Sequence, residues 1–338
     1  MKYLDISGGP DNSSRIVLGC MRMPALSVKE AEDVIQNAYD LGINFYDHAT
    51  CYGNGDAEER FGDAFKNTGI KREDVIIQSK CGLRFDIGTF DWSKENILNS
   101  VDGILKRLKT DYLDALLLHR PDLLYEPEEI AEAFDILERS GKVRHFGVSN
   151  TLPMQIELLK KYVKQPLKIN QLQLSLEQSQ LIDQDLYMNN KTTDLSIMRD
   201  GSALDYCRLN DITIQAWSPL QHGMFKGVFV DNPEFPKINE ALKELADKYG
   251  VSKTAIAIAW ILRHPAKMQV IAGTMNPVHL KEIVDAVKVD LTREEWYKLY
   301  LSSGKFLPLS QLLTACFVTK TRLARSSCVM PAFSLAFL

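Results

Sequence analysis

Four side chains that can take part in proton transfer stand at or just after the ends of apolar runs. Asp47, Lys80 and His119 each end a run of their own, and Tyr52 follows Asp47 by five residues. A nearby ammonium stabilises a phenolate and lowers the phenol pKa from its ordinary value of about 10. We therefore predict that Lys80, held by Asp47, tunes Tyr52 as an acid while His119 binds the same substrate oxygen.

This set of groups suits the delivery of a proton to an oxygen that is gaining negative charge, as in carbonyl reduction. It contains no nucleophile–base pair, and the sequence has no HxH or clustered-carboxylate metal set, so we expect no metal. Taken singly, Asp47 could cap a turn and Tyr52 could pack on the surface. His48 and His145 are interpreted as polar packing residues.

Short apolar runs alternate with segments whose apolar residues recur at helical spacing. The runs are 15–19, 44–47, 74–80, 112–119, 144–150, 168–174, 211–220 and 269–274. Such alternation predicts a parallel sheet covered by helices. Eight units fit an α/β fold of the (β/α)8 TIM barrel type, with an N-terminal β-hairpin and an extra C-terminal helix. The strand ends of a barrel share one face, so the candidate side chains should converge.

A doubly wound open sheet is the alternative architecture. That fold calls for a glycine-rich turn after its first strand, and residues 19–23 do not form G-x-G-x-x-G. The segment 181–202 is interpreted as an irregular polar insert.

Composition and cysteine spacing limit the cellular compartments and the binding partners that we expect. The 338 residues are 45% hydrophobic and 25% charged, with a net charge of −4 and no long basic run, so we expect neither nucleic acid nor membrane as a partner. The six cysteines form no CxxC pair, and the N-terminus lacks the apolar core of an export signal. No apolar run approaches the roughly 18 residues of a membrane helix. We expect a cytoplasmic protein with reduced thiols.

Several motifs together resemble the aldo-keto reductase superfamily over about residues 1–308. They are NFYDHA and CYG within 44–53, QSK at 78–80, LLLHRP at 116–121, GKVRHFGVSN at 141–150 and AWSPL at 216–220. The runs 144–150 and 258–277 look like the bacterial predicted-oxidoreductase branch. The resemblance implies a barrel that binds NADP(H) without a Rossmann domain. It assigns Tyr52 as proton donor, Lys80 and Asp47 as the pair that tunes it, and His119 as the residue that orients the carbonyl.

The same resemblance implies a set of cofactor-binding residues along the strand ends and the start of the last barrel helix. The set is Met21, Arg22, Ser149, Asn150, Gln171, Trp217, Ser218, Leu220, Gly223, Gly273, Thr274, His279 and Glu282. Where much of the family has an Arg and a Lys for the 2′-phosphate, this chain has His279 and Gly273. We therefore expect NADPH to be preferred over NADH by a modest factor, with NAD(H) as the weaker alternative.

The sequence leaves the physiological role open between two classes. The first is an NADP(H)-dependent reductase of aldehydes and ketones, acting as a monomer or weak homo-oligomer. The second is a nicotinamide-binding barrel that serves as a redox-sensing or regulatory subunit with little turnover. Residues 1–308 are predicted to form a single barrel. The tail 309–338 lies in a stretch without acidic residues that begins after Glu295. We expect the tail to be poorly ordered, and to be either a native extension or the non-native product of a frameshift or read-through.

Overall fold

Eight parallel strands close into a barrel at the centre of the computed structural model, which describes residues 1–84, 87–187, 193–223 and 226–306. The strands of the described chain are β1 (Tyr3–Leu4), β2 (Ser13–Ser14), β3 (Ile16–Gly19), β4 (Phe45–Asp47), β5 (Ile76–Cys81), β6 (Leu83–Arg84), β7 (Thr89–Phe90), β8 (Leu113–Leu118), β9 (Val143–Ser149), β10 (Leu167–Gln173), β11 (Thr213–Trp217) and β12 (Gln269–Ala272). The barrel order is β3, β4, β5, β8, β9, β10, β11 and β12, which pairs again with β3. The predicted TIM barrel is confirmed, and the open sheet is excluded.

Helices follow the barrel strands, as the periodicity predicts. They are α1 (Val28–Asp40), α2 (Asp56–Phe65), α3 (Lys94–Leu108), α4 (Pro127–Arg139), α5 (Pro153–Lys160), α6 (Gln180–Leu186), α7 (Ala203–Leu209), α8 (Pro236–Tyr249), α9 (Lys253–Leu262), α10 (Pro277–Asp285) and α11 (Arg293–Ser302). The first begins with a capping box, in which the Ser27 hydroxyl accepts from Glu30 N and Ser27 N donates to the Glu30 carboxylate. The extra C-terminal helix is α11.

The predicted N-terminal hairpin is formed by β1 and β2, which pair antiparallel. Between them Ile6, which is fully buried, packs with inward-facing barrel residues that include Val17, Phe45 and Leu117. This small apolar core fills the barrel beneath the strand ends. A larger apolar core lies between the strands and the surrounding helices.

The insert after β10 is more regular than predicted, because its first part is helix α6. Leu181 and Ile182 of that helix are buried, and Asp183 accepts a hydrogen bond of 2.7 Å from the Tyr300 hydroxyl of α11. A single 3-10 turn covers Asp194–Ser196. The prediction of an irregular insert was therefore wrong for α6, since its leucine and isoleucine side chains are buried and Asp183 binds the C-terminal helix.

Two further features complete the fold. A small hairpin of β6 and β7, which the sequence analysis did not anticipate, follows β5. Within the described ranges no helix is long and apolar enough to cross a membrane. The predicted tail 309–338 lies outside the described residues.

Candidate active site

A buried ion pair between Asp47 and Lys80 forms the base of the candidate site. Asp47 ends β4, and Lys80 lies on the neighbouring strand β5, two residues after the Gln78 that pairs with Asp47. Lys80 Nζ donates to both Asp47 carboxylate oxygens and to His48 O, each at 2.7 Å. Both side chains are at most 1% exposed. All three ammonium protons are used, so the buried charges are fully compensated.

Tyr52 lies over this pair and is partly buried. It begins the 3-10 segment Tyr52–Gly55, whose reversal depends on the left-handed backbone of Gly53 and Gly55, at φ of 60° and 100°. Lys80 Nζ lies 5.0 Å from the centroid of the Tyr52 ring. Burial, with Asp47 second, raises the pKa of Tyr52 well above its ordinary value.

The prediction that the Tyr52 pKa lies below its ordinary value is therefore wrong, because burial and the charge of Asp47 outweigh the charge of Lys80. The Lys80 protons are directed at Asp47 and His48 O rather than at the phenol. The consequence is a Tyr52 that holds its proton across the ordinary pH range, which is the form a proton donor needs.

His119 follows the end of β8 and faces Tyr52. Its backbone N–H donates to Cys81 O at 2.9 Å, and its ring meets the Tyr52 ring edge to face with centroids 6.2 Å apart. Burial, followed by the charges of Lys80 and Arg120, lowers the pKa of His119 well below its ordinary value. The imidazole is therefore neutral, with one N–H donor and one bare nitrogen.

A column of buried glutamines continues from Asp47 down the inside of the barrel. Gln78 and Gln171 each donate through Nε2 to Asp47 Oδ1, at 2.6 and 3.0 Å, and to Gln215 Oε1, at 2.9 and 3.1 Å. Gln215 in turn donates to Gln269 at 3.0 Å, which donates to a carbonyl at the base of the barrel. Of these glutamines only Gln171 is among the predicted site residues. The others have no spacing signal, because the closed barrel alone brings them together.

The residues expected to meet a nicotinamide lie beside this column. Asn150 donates to Ser149 Oγ at 2.9 Å and accepts from Trp217 Nε1 at 3.2 Å, so its side chain is fixed between two strand ends. Asn150 and Ser218 both have a left-handed backbone, each with φ of 53°. Such conformations in non-glycine residues cluster at functional sites. Gln171 Nε2 donates hydrogen bonds to Asp47 and Gln215, and within the described chain no donor reaches Gln171 Oε1.

Arg22 is the cation at the other end of the site. It lies on the 3-10 segment after β3 and donates through Nη1 to Gly273 O at 2.6 Å. A Cβ at position 273 would lie only 3.1 Å from this nitrogen, so the glycine leaves room for the guanidinium. Asn276 caps α10 by accepting from Val278 N at 2.8 Å. Lys281, by contrast, is paired with Asp285 at 2.6 Å and does not line the cavity.

One cavity of about 860 Å³ joins these groups. Of the predicted residues its wall holds Met21, Arg22, Asp47, Tyr52, His119, Ser149, Asn150, Gln171, Trp217, Ser218, Leu220, Gly273, Thr274, His279 and Glu282. Lys80 lies behind Asp47, and Gly223 does not line the cavity. The wall also contains residues that the sequence analysis did not single out, among them Cys51, Leu83, Arg120 and Asp231.

Comparison with known proteins agrees with this geometry. The model of the aldo/keto reductase family matches residues 15–300. The chain is 33% identical over 299 residues to the uncharacterized oxidoreductase YcsN of Bacillus subtilis, covering 85% of this chain and 93% of that protein. It is also 33% identical over 305 residues to a 6-dehydroglucose reductase of Agrobacterium fabrum, covering 86% and 95%.

A solved structure supports the same family assignment. The crystal structure of a thermostable aldo-keto reductase, in complex with the inhibitor epalrestat, superposes with a TM-score of 0.71 at 26% identity, covering 89% of this chain and all of that one. The resemblance drawn from the motifs is confirmed. The closed barrel, the strand-end site and these matches show that the chain belongs to the aldo/keto reductase family of oxidoreductases.

Proposed function

We propose that the protein is an NADP(H)-dependent reductase of aldehydes and ketones, with Tyr52 as the proton donor. The observation that carries the proposal is the position of a protonated Tyr52 and a neutral His119 on one cavity wall, above the buried pair of Asp47 and Lys80. Family membership supports carbonyl reduction in general, and these four side chains supply the finer assignment.

The cavity residues fit a nicotinamide cofactor. Gln171 is 3% exposed, and its Oε1 is an acceptor without a partner among the described residues, which suits a primary carboxamide N–H. Asn150 and Trp217 are held against each other at the same strand ends. Arg22 provides a cation beside Gly273, where a phosphate would meet the start of α10.

When bound, the nicotinamide supplies the hydride that the carbonyl carbon gains. Tyr52 gives its hydroxyl proton to the carbonyl oxygen, so that an alcohol is formed and a phenolate remains. His119 donates a hydrogen bond to the same oxygen and stabilises the developing charge. Lys80, whose Nζ lies 5.0 Å from the centroid of the Tyr52 ring, places a positive charge beside the phenolate and partly offsets the cost of burial and the charge of Asp47.

Cofactor choice is expected to depend on few side chains near the start of α10. Lys281 is occupied by Asp285, and Asn276 already takes up the N–H of Val278 at the start of α10. On the part of the cavity wall near Gly273 and α10, Arg22 and His279 remain to meet a 2′-phosphate. We therefore propose a preference for NADPH nearer tenfold than thousandfold, since a helix end contributes only about 0.3–2 kcal/mol toward an anion.

The experiment that tests the function follows nicotinamide absorbance at saturating NADPH over a panel of aldehydes, quinones and diketones. The relative named as a 6-dehydroglucose reductase makes a sugar aldehyde a useful member of the panel. NADPH consumption matched by alcohol formation supports the proposal. Tight NADPH binding without turnover on any carbonyl would favour the alternative of a nicotinamide-binding regulatory subunit. If neither NADPH nor NADH bound, both the reductase and the regulatory function would be contradicted.

A further inference from the structure

The thiol of Cys51 contacts the ring of His119. Cys51 precedes Tyr52 in the chain, and its Sγ lies 3.5 Å from His119 Nδ1. Both residues line the cavity. Within the described chain no other hydrogen bond reaches the His119 ring, so this contact is the one that distinguishes its two nitrogens.

The protonation states of the two groups decide the direction of this hydrogen bond. Burial raises the pKa of Cys51 to about 11, so the group is a thiol with a proton to donate. Burial also keeps His119 neutral, with one bare nitrogen. A bare imidazole nitrogen is a good acceptor, whereas thiol sulfur is a weak one. The favoured arrangement therefore has the S–H directed at a bare Nδ1, and the imidazole proton on Nε2.

We propose that Cys51 is a positioning residue that fixes the Nε2–H tautomer of His119. The proposal rests on the proposed function, because a carbonyl oxygen only accepts hydrogen bonds and His119 must therefore offer it an N–H. In the opposite tautomer a bare Nε2 would face that oxygen and repel it. The hydrogen bond made by one imidazole nitrogen commonly sets the role of the other.

The direct test reads the tautomer by NMR of ¹⁵N-histidine-labelled protein without cofactor or substrate, with His119→Gln used to assign the signals. We expect a bare Nδ1 and a protonated Nε2 in the wild type. In Cys51→Ala the tautomer ratio should shift toward Nδ1–H by about fivefold, the factor for one typical net hydrogen bond. Cys51→Ser should restore the wild-type ratio, because its hydroxyl can donate to Nδ1.

Cys207→Ala is the matched control, since Cys207 is a buried free thiol on α7. It should leave the His119 tautomer unchanged. A wild-type His119 protonated on Nδ1 would overturn the proposal, even if Cys51→Ala failed to fold. A folded Cys51→Ala protein with the wild-type tautomer ratio would overturn it as well.

Kinetics supply a second readout. Reduction by Cys51→Ala should fall in kcat/KM for the carbonyl in proportion to the lost Nε2–H form, by at most about fivefold, with an unchanged Kd for NADPH and with recovery in Cys51→Ser. A loss that Cys51→Ser fails to recover would contradict a positioning role. Because the NMR measurement needs no turnover, a wild type without carbonyl reduction would count against the proposed function, while the tautomer would still decide the role of Cys51.

Discussion

Lys80 Nζ lies 2.7 Å from both carboxylate oxygens of Asp47, beneath a cavity whose wall, among the described residues, contains no lysine. The pair is therefore a fixed charge arrangement under the site rather than a group that meets substrate. Its role in the proposed chemistry is to stabilise charge on Tyr52, and its role in the fold is to compensate two buried charges.

These two roles separate in a pair of variants. Lys80→Met leaves Asp47 buried without its cation and should lower the free energy of unfolding by about 3–5 kcal/mol. It should also slow carbonyl reduction by about tenfold or more, which corresponds to losing at least roughly 1.4 kcal/mol of phenolate stabilisation, because the positive charge beside Tyr52 is removed. The double variant Lys80→Met with Asp47→Asn should recover much of the stability but none of the rate. Urea unfolding and single-turnover reduction measure the two effects, and a double variant that regained the rate would contradict the role of Lys80.

The pH dependence of the reaction should differ between its two directions. Reduction needs Tyr52 protonated, and burial raises the Tyr52 pKa, so its rate should not fall between pH 7 and 9. Alcohol oxidation needs the phenolate and should rise with pH over the same interval. His119, whose pKa is lowered, should cause no break in the reduction profile near its ordinary value of about 6.5. An acidic break at that value, absent from His119→Gln, would show instead that the imidazole titrates normally.

His48 should make the fold acid-sensitive. Its ring is buried against Phe61, with centroids 4.6 Å apart, and neither ring nitrogen has a partner among the described residues. Burial, with Lys80 second, lowers the pKa of His48 to about 3. The unfolded chain takes up this proton below about pH 6.5, so stability should fall by about 1.4 kcal/mol per pH unit from there toward pH 3.

His48→Phe keeps an aromatic ring against Phe61 and removes the titrating group. Its free energy of unfolding should decline less steeply than that of the wild type as the pH is lowered from 6.5 to 4. Denaturant unfolding at a series of pH values measures the two slopes, and identical slopes would show that His48 keeps its ordinary pKa in the fold.

The proposed cofactor preference depends on the wall near α10. His279→Arg should tighten NADPH by about tenfold and leave NADH unchanged, because a guanidinium adds a charged hydrogen bond to the 2′-phosphate. Arg22→Gln should weaken NADPH. Lys281→Met is the matched control on the same helix and should change neither, since Lys281 pairs with Asp285 away from the cavity. Fluorescence quenching, with Trp217 as reporter, gives the dissociation constants. NADH binding as tight as NADPH in the wild type would contradict the preference.

The part of the site that the sequence predicts is the part carried by strand ends. Asp47, Tyr52 and His119 converge because parallel strands in a barrel end on one face, and alternation alone is enough to infer that. Gln78 and Gln215 could not be found in this way. Gln215 is an isolated polar residue in an apolar run, and Gln78 directly precedes Ser79 and Lys80. Their hydrogen bonds depend on which strands face each other across the closed barrel.

The protonation state of Tyr52 also could not be predicted from the sequence. The expectation that Lys80 lowers the pKa of Tyr52 followed from the presence of an ammonium nearby. In the structure the Tyr52 pKa is raised instead, because burial raises it and Lys80 donates its hydrogen bonds to Asp47 and His48 O rather than to the phenol. Likewise, residues 180–186 form a helix because buried contacts override a polar local composition.

Single-turnover reduction of an aldehyde by the NADPH-loaded Tyr52→Phe protein tests the central claim most directly. The ring is retained and only the hydroxyl is lost, so folding and NADPH binding should match those of the wild type. We expect reduction to slow by about 10²–10⁴-fold, the range that a general acid contributes. Reduction at the wild-type rate by a folded, NADPH-loaded Tyr52→Phe protein would contradict the assignment of Tyr52 as the proton donor.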